Sequence, residues 1–394
     1  MKSPLLGLLI GLAGVTRCFG AAAAGVSPDV HPDHTVTFRL TAPKATDVML
    51  TGDWLDAAQK LTKADNGTWS ITLGPLPPST YIYSFTVDGV ATTDPANPRI
   101  KLRAQGSASL AVVLADSPSV EEVRDVPHGA VEVVWQKSPT LGGETRRLLV
   151  YTPPGYTQET ARRYPVLYLL HGSNDTSDGW TSVGNVNFIA DNLIAEKRMA
   201  PMVLVMPNFY PFTQGPVGSA GPRGGGGAGG NNTFYKYLLE EVYPMIEAKY
   251  RIAEGRENHA VAGMSMGANQ SLDLFFNHLD LFNSVGVLCA SNYGQLETAQ
   301  AAFLADPKAT NAKIGVFWIG CGRQDPGHFN GSQRVAEVLE AHQITHIWRP
   351  TEGVHNYALW RQYLVEFLPL LFQASAKPTA DAVPDRATGQ IASH

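Results

Sequence analysis

The sequence predicts an immunoglobulin-like β-sandwich followed by a larger α/β domain with a mainly parallel sheet. Three observations carry this. Residues 25–116 contain short alternating apolar–polar segments separated by turn residues, the pattern of a small sandwich. From residue 131 onward, continuous apolar runs alternate with amphipathic segments, as expected for strands covered on both faces by helices. Between them, residues 117–130 (SPSVEEVRDVPHGA) are polar with two prolines and read as a linker. A length of 394 residues fits two domains, and 44% hydrophobic residues suits a sizeable core. These values exclude a coiled coil, a collagen-like fibre and a wholly disordered chain. The net charge is −5 and no basic run occurs, so no nucleic-acid partner is expected.

The N-terminus reads as a secretory signal over residues 1–24. Lys2 is its positive end, residues 4–15 (PLLGLLIGLAGV) its apolar run, and Gly20-Ala21-Ala22-Ala23-Ala24 its small-residue cleavage region. The run is short for a bilayer span, so the mature chain is expected to be secreted and free of the membrane. Arg17 before Cys18 argues against a lipoprotein site. Cys289 and Cys321 remain, each at the end of an apolar run and without metal-ligand spacing. They read as buried free thiols or, in an oxidising compartment, as a disulfide. Residues 374–394 lack hydrophobic periodicity and read as a disordered tail.

In the first domain the expected strands are TVTFRLTA, DVMLTGDW, TWSITL, YIYSFTVDG and SLAVVLA. Asn66-Gly67 and Asp88-Gly89 are hairpin signals. Trp69 is expected in the core, while Trp54 suits either the core or a ligand face. In the second domain, 131–137 and 146–151 are paired opening strands. The buried runs follow at 166–170, 202–206, 259–262, 284–290 and 314–320, with helices at 235–250, 269–277, 333–342 and 357–372. The domain is expected to end near residue 373.

Gly263-Met264-Ser265-Met266-Gly267 lies between a short apolar strand and a helical segment. This is the context of a G-x-S-x-G nucleophile elbow, in which a strained turn lifts the serine hydroxyl above the sheet edge. A serine needs a base, and the base an orienting acid. In this class the acid and then the histidine follow downstream. Asp325 comes just past an apolar strand and His355 sits on a loop before the last helix, which gives the order Ser265, Asp325, His355. The main rival to His355 is His328, which lies only three residues from Asp325 and is poorly placed to bridge it to Ser265. His171-Gly172 ends a strand and opens an expected oxyanion loop, with the Ser173 and Met266 backbone N–H groups as donors and His171 structural.

Nine of the 38 glycines lie between Gly215 and Gly230, and no Gly-Lys-Ser/Thr follows them, so a loop beside the cleft fits better than a phosphate cradle. Aromatic residues cluster around it (Phe209, Tyr210, Phe212, Phe234) and near other loops (Trp180, Tyr293, Tyr357). Of these, Trp180, Phe209, Tyr210, Tyr293 and Tyr357 are the expected substrate wall, suited to a flat aromatic acyl group.

The stretches RRLLVYTPPGY, YPVLYLLHGSNDTSDGW, DNLIAEKRMAPMVLVMPN, LLEEVYPMIEAKYR, AVAGMSMG, IGCGRQD and GVHNYALWRQYL span most of residues 145–368. On them the second domain resembles the esterase D-like branch of the α/β hydrolases, notably carbohydrate esterase family 1. The first domain resembles early-set modules related to carbohydrate-binding module family 48 on FRLTAPKATDVMLTGDW, GTWSITLGPLPPSTYIYSFTVDG and DPANP. The resemblance implies an α/β-hydrolase fold and hydrolysis of feruloyl esters of plant cell-wall polysaccharide through Ser265, Asp325 and His355. Acetyl xylan esterase and enterochelin-esterase-like activities are the alternatives. A binding protein with an inactive hydrolase domain is the non-enzyme reading. No metal or organic cofactor is implied, and the oligomeric state is left open. Two positions depart from the family pattern: Ala268 stands where relatives carry a second glycine, and Val354 follows Gly353 where relatives have Gly-Gly.

Overall fold

A computed structural model describes residues 25–208, 228–291 and 295–373. The signal and tail expectations (1–24 and 374–394) and most of the glycine-rich stretch lie outside the described residues.

Residues 25–116 form two antiparallel sheets around one apolar cluster. The first orders Asp29–Val30, Val36–Thr41, Thr68–Leu73 and Thr62–Lys63. The second orders Gln59–Lys60, Val48–Gly52, Ser79–Val87, Ser107–Val113 and Ile100–Leu102, with Val90–Thr92 paired to Ser79–Val87. Val36, Phe38, Leu50, Trp69 and Phe85 fill the space between them. Alternation drives this arrangement, since inward apolar residues recur every second position. Val87 pairs with Val90 across Asp88 and Gly89, both at positive φ (46° and 86°), which is the two-residue hairpin that Asp-Gly favours. Trp69 is buried as expected, and its indole N–H donates to the Ala42 carbonyl at 3.0 Å.

The second part holds an eight-stranded mixed sheet: β1 (Ala130–Ser138), β2 (Glu144–Thr152), β3 (Val166–Leu170), β4 (Val203–Met206), β5 (His259–Met264), β6 (Ser284–Leu288), β7 (Val316–Gly322) and β8 (Ile347–Thr351). The spatial order is β1-β2-β4-β3-β5-β6-β7-β8. Strands β1 and β2 are antiparallel to their neighbours and the rest run parallel. Along β3, Val166, Tyr168 and Leu170 enter one core while Leu167 and Leu169 enter the other. Burial on both faces is why these strands read as unbroken apolar runs.

Among the described residues the longer helices that cover the sheet are α1 (Val186–Ala195), α2 (Ala228–Tyr237), which continues helically to Lys249, α3 (Met266–Asn277), α4 (Pro326–Ala341) and α5 (Tyr357–Phe367). Leu272 and Phe275 of α3 pack with Val335 and Leu339 of α4 on one face. Ile189 and Leu193 of α1 pack with Leu364 and Phe367 of α5 on the other. That second core also takes in Ile82, Ala108 and Leu110 from the N-terminal sheets. Segment 117–130 is fastened to α1: the Asn192 amide donates to the Val120 and Glu122 carbonyls, and Gly129 N–H donates to Asp191.

Candidate active site

Four adjacent parallel strands, β5 to β8, deliver the candidate residues to one edge of the sheet. Ser265 follows β5 directly and adopts φ 55° and ψ −118°, a conformation that L-residues rarely occupy. The strain is held by packing on both sides. A Cβ at Gly267 would meet the Leu170 carbonyl oxygen at 2.5 Å, and one at Gly263 would meet Gly267 at the same distance, so both elbow glycines are steric requirements. Ser265 N–H donates to Leu288 O at 2.9 Å, which ties the elbow to the end of β6.

Asp325 lies three residues past β7 and precedes α4. His355 lies four residues past β8. Gln324 N–H donates to Gly353 O at 3.2 Å, which lays one loop on the other. The result is a short charge-assisted contact, His355 Nδ1 to Asp325 Oδ2 at 2.6 Å. It favours the tautomer with the proton on Nδ1 and the lone pair on Nε2. The second Asp325 oxygen, Oδ1, contacts His328 Nδ1 at 2.9 Å, and the two imidazoles stack 3.9 Å apart at 17°. His328 is therefore part of the site although its proximity to Asp325 in the chain argued against it. One helical turn places residue i+3 over the residue that starts the helix, a relation the spacing already contained.

Cys289 is a second residue whose place was not foreseen. It directly follows β6 at φ 59° and is a buried free thiol, as is Cys321. Cys289 Sγ, a carboxylate oxygen of Asp325 and a ring nitrogen of His355 all lie within 4.8 Å of one another. Among the described residues this is the one group of such side chains spaced to hold a metal ion, and two of its members are already bonded to each other. Interaction with Cys321 and with His355 draws the Cys289 thiol down to about 5, against burial. Burial lowers the His355 pKa, but Cys289 and Asp325 outweigh it and the net direction is upward. A catalytic base works only when neutral, so the acidic limb of the kcat/KM profile is expected above pH 6.5. Cys289→Ala removes the thiol that favours imidazolium and is expected to move that limb to lower pH. A pH–rate profile in which the limb stays put or rises contradicts this.

A Cβ at Gly172 would lie 3.2 Å from Ser265 Cβ, which places the loop after β3 against Ser265. Ser173 is exposed on that loop, and Met266 is the first residue of α3. The leading N–H groups of a helix have no intrahelical acceptor, so the Met266 amide is a free donor by position. His171 is buried, its Nδ1 lies 2.8 Å from the Gly172 carbonyl, and burial lowers its pKa, consistent with a structural role.

The expected substrate wall is revised. Trp180 is 0% exposed and Tyr357 only 3% exposed; their rings pack edge to face at 5.8 Å. Tyr357 OH donates to Asp175 Oδ2 at 2.6 Å. Both are core residues with no face toward a cleft, because contacts distant in sequence close over them. Phe209, Tyr210 and Tyr293 lie outside the described residues.

The Esterase family model (“Putative esterase”) matches residues 138–371. The chain is 28% identical over 358 residues to an endo-1,4-beta-xylanase/feruloyl esterase of Xylanibacter ruminicola, covering 88% of this chain and 46% of that protein. It spans less than half the length of the curated relatives it matches. Among solved structures, a carbohydrate esterase family 1 ferulic acid esterase from Anaeromyces mucronatus, in complex with ferulic acid, superposes with a TM-score of 0.53 at 23% identity. It covers 66% of this chain and 98% of its own. The enterobactin esterase of Shigella flexneri superposes with a TM-score of 0.59 at 16% identity, covering 85% of this chain and 92% of its own. The fold is thus of the α/β-hydrolase type. The matched stretch holds every strand and helix that carries Ser265, Asp325 and His355, and on it the chain belongs to the Esterase family.

Proposed function

We propose that this chain is a secreted serine esterase that releases feruloyl groups from plant cell-wall polysaccharide such as arabinoxylan. The observation that carries the hydrolase reading is the 2.6 Å Asp325–His355 contact on the sheet edge that holds the strained Ser265. The relative with a feruloyl esterase in its name supports the acyl group. The apolar, small-residue N-terminus supports secretion.

Ser265 Oγ attacks the ester carbonyl while His355 Nε2 takes its proton. Asp325 holds the imidazole in the required tautomer and stabilises its charged form. The Ser173 and Met266 amides bind the tetrahedral oxyanion, each worth about 3 kcal/mol in hydrolases of this kind. His355 then protonates the departing sugar hydroxyl, and water cleaves the acyl-enzyme by the same route. The second reading is an enterochelin-esterase-like activity, in line with the 85% of this chain that the enterobactin esterase structure covers. Rates on methyl ferulate, acetylated xylan and a catecholate trilactone separate the readings, along with acetyl xylan esterase. The feruloyl reading expects kcat/KM for methyl ferulate to lead the other two by about tenfold or more. A lead for either of the others replaces it.

A further inference from the structure

We propose that Lys101, supplied by the N-terminal sheets, is a positioning residue of the esterase site: its ammonium fixes Asp175, and through Asp175 both the turn bearing the Ser173 donor and the helix behind His355. The inference deepens the esterase reading and rests on it.

Asp175 is the convergence point. Lys101 Nζ lies 2.5 Å from its Oδ1, with the two side chains 5% and 8% exposed. Thr176 N–H donates to the same oxygen at 2.7 Å. The other oxygen accepts from Tyr357 OH at 2.6 Å. The three groups come from three places: a strand of the N-terminal region, the loop after β3 and the first residue of α5. Lys101 Nζ also sits 4.9 Å over the Tyr357 ring, so one cation holds both the carboxylate and the residue that anchors it from the other side.

Asp175 closes a tight turn with Gly172, its N–H donating to Gly172 O at 3.3 Å, and Ser173 lies inside that turn. Gly172 rests against Ser265. Tyr357 stands two residues after His355. Further bonds bring the N-terminal region onto the same turn: Ala104 N–H donates to Asn174 O at 3.3 Å, Gln105 N–H to Asn174 Oδ1 at 3.1 Å, and Thr176 Oγ1 to Leu102 O at 3.4 Å.

A buried ion pair is a poor way to gain adhesion, because desolvation offsets most of the attraction. Docking alone is served by Ile82, Ala108 and Leu110, which enter the second core. What the pair adds is direction, since a carboxylate held by three donors from three segments cannot rotate or shift without breaking one of them. An oxyanion donor must sit within hydrogen-bond range of where negative charge develops, and a misplacement of about 1 Å costs roughly a hundredfold in rate.

The test uses the full chain with Lys101→Met, which keeps the length of the side chain and removes the charge. At a temperature well below its melting point, kcat for methyl ferulate is expected to fall about 10- to 100-fold while KM stays within about threefold. Labelling of Ser265 by a fluorophosphonate slows in parallel. A purely structural role lowers the melting temperature and leaves kcat alone, so a folded variant with kcat within twofold of the parent overturns the proposal. Should Lys101→Met fail to fold, Tyr357→Phe removes a different donor from the same carboxylate while keeping the ring. It is expected to lower kcat about fivefold, and an unchanged kcat overturns the proposal equally. A parent chain inactive on every ester defeats the esterase reading and this inference together. An active parent with an unaffected variant defeats the inference alone.

Discussion

Ser265→Ala is expected to lower kcat for ester hydrolysis about a million-fold, the scale seen when the nucleophile of a Ser-His-Asp hydrolase is removed. The loss is so large because no other described hydroxyl follows β5 at the elbow, and the acyl-enzyme route closes completely. What remains comes from the oxyanion donors and substrate binding. Stability is expected to change little. Alanine meets the same penalty at φ 55° that serine already bears, and the backbone bond to Leu288 O persists. The measurement pairs hydrolysis of p-nitrophenyl acetate with a thermal melt and fluorophosphonate labelling of the parent. A folded variant that keeps a hundredth of the parental rate removes Ser265 from the mechanism. A parent that resists the probe points instead to a binding protein with a silent hydrolase domain.

His355→Ala is expected to be nearly as damaging, about 10⁵-fold in kcat, while His328→Ala costs less than about tenfold. Both imidazoles touch Asp325, so the contrast rests on geometry. The His355 contact is the shorter, 2.6 Å against 2.9 Å. The His355 ring also lies beside Cys289, which follows Leu288, the acceptor of the Ser265 N–H. His328 sits in the first turn of α4, where its bond to the residue starting that helix is local. Steady-state kinetics of the two variants decide the roles, and the reverse ranking would make His328 the base.

Ser265 and Asp325 were legible as candidates because each sits just past a strand too apolar to be anything else. Strands β3 to β7 announce themselves by continuous burial, and their ends deliver Ser265 and Asp325 wherever the intervening helices go. Strand β8 (IWRPT) was less visible. It is half-exposed at the sheet edge and carries Arg349 and Pro350, so its apolar signal is diluted. The first sheets also contain strands of two or three residues, too short to show alternation. Trp180 and Tyr357 were misread for a different reason. An aromatic residue beside a loop is equally consistent with a cleft wall or a seam, and here the seam is closed by Lys101, 74 positions before Asp175. No local pattern encodes that meeting. Cys289 resembled any thiol at the end of a buried strand until the neighbouring loops placed His355 beside it.

The sharing of one apolar core by Ile82, Ala108, Leu110 and the inner face of the large sheet has a consequence for how the chain can be divided. A cut through the polar stretch at residues 117–130 looks clean on composition, yet it would strip three core side chains from the larger fragment and leave a wet, open flank along α1 and α5. The boundary between the two parts is a matter of chain connectivity. The shared side chains are expected to couple the unfolding of the two parts, so that a thermal melt of the full chain shows one transition and not two.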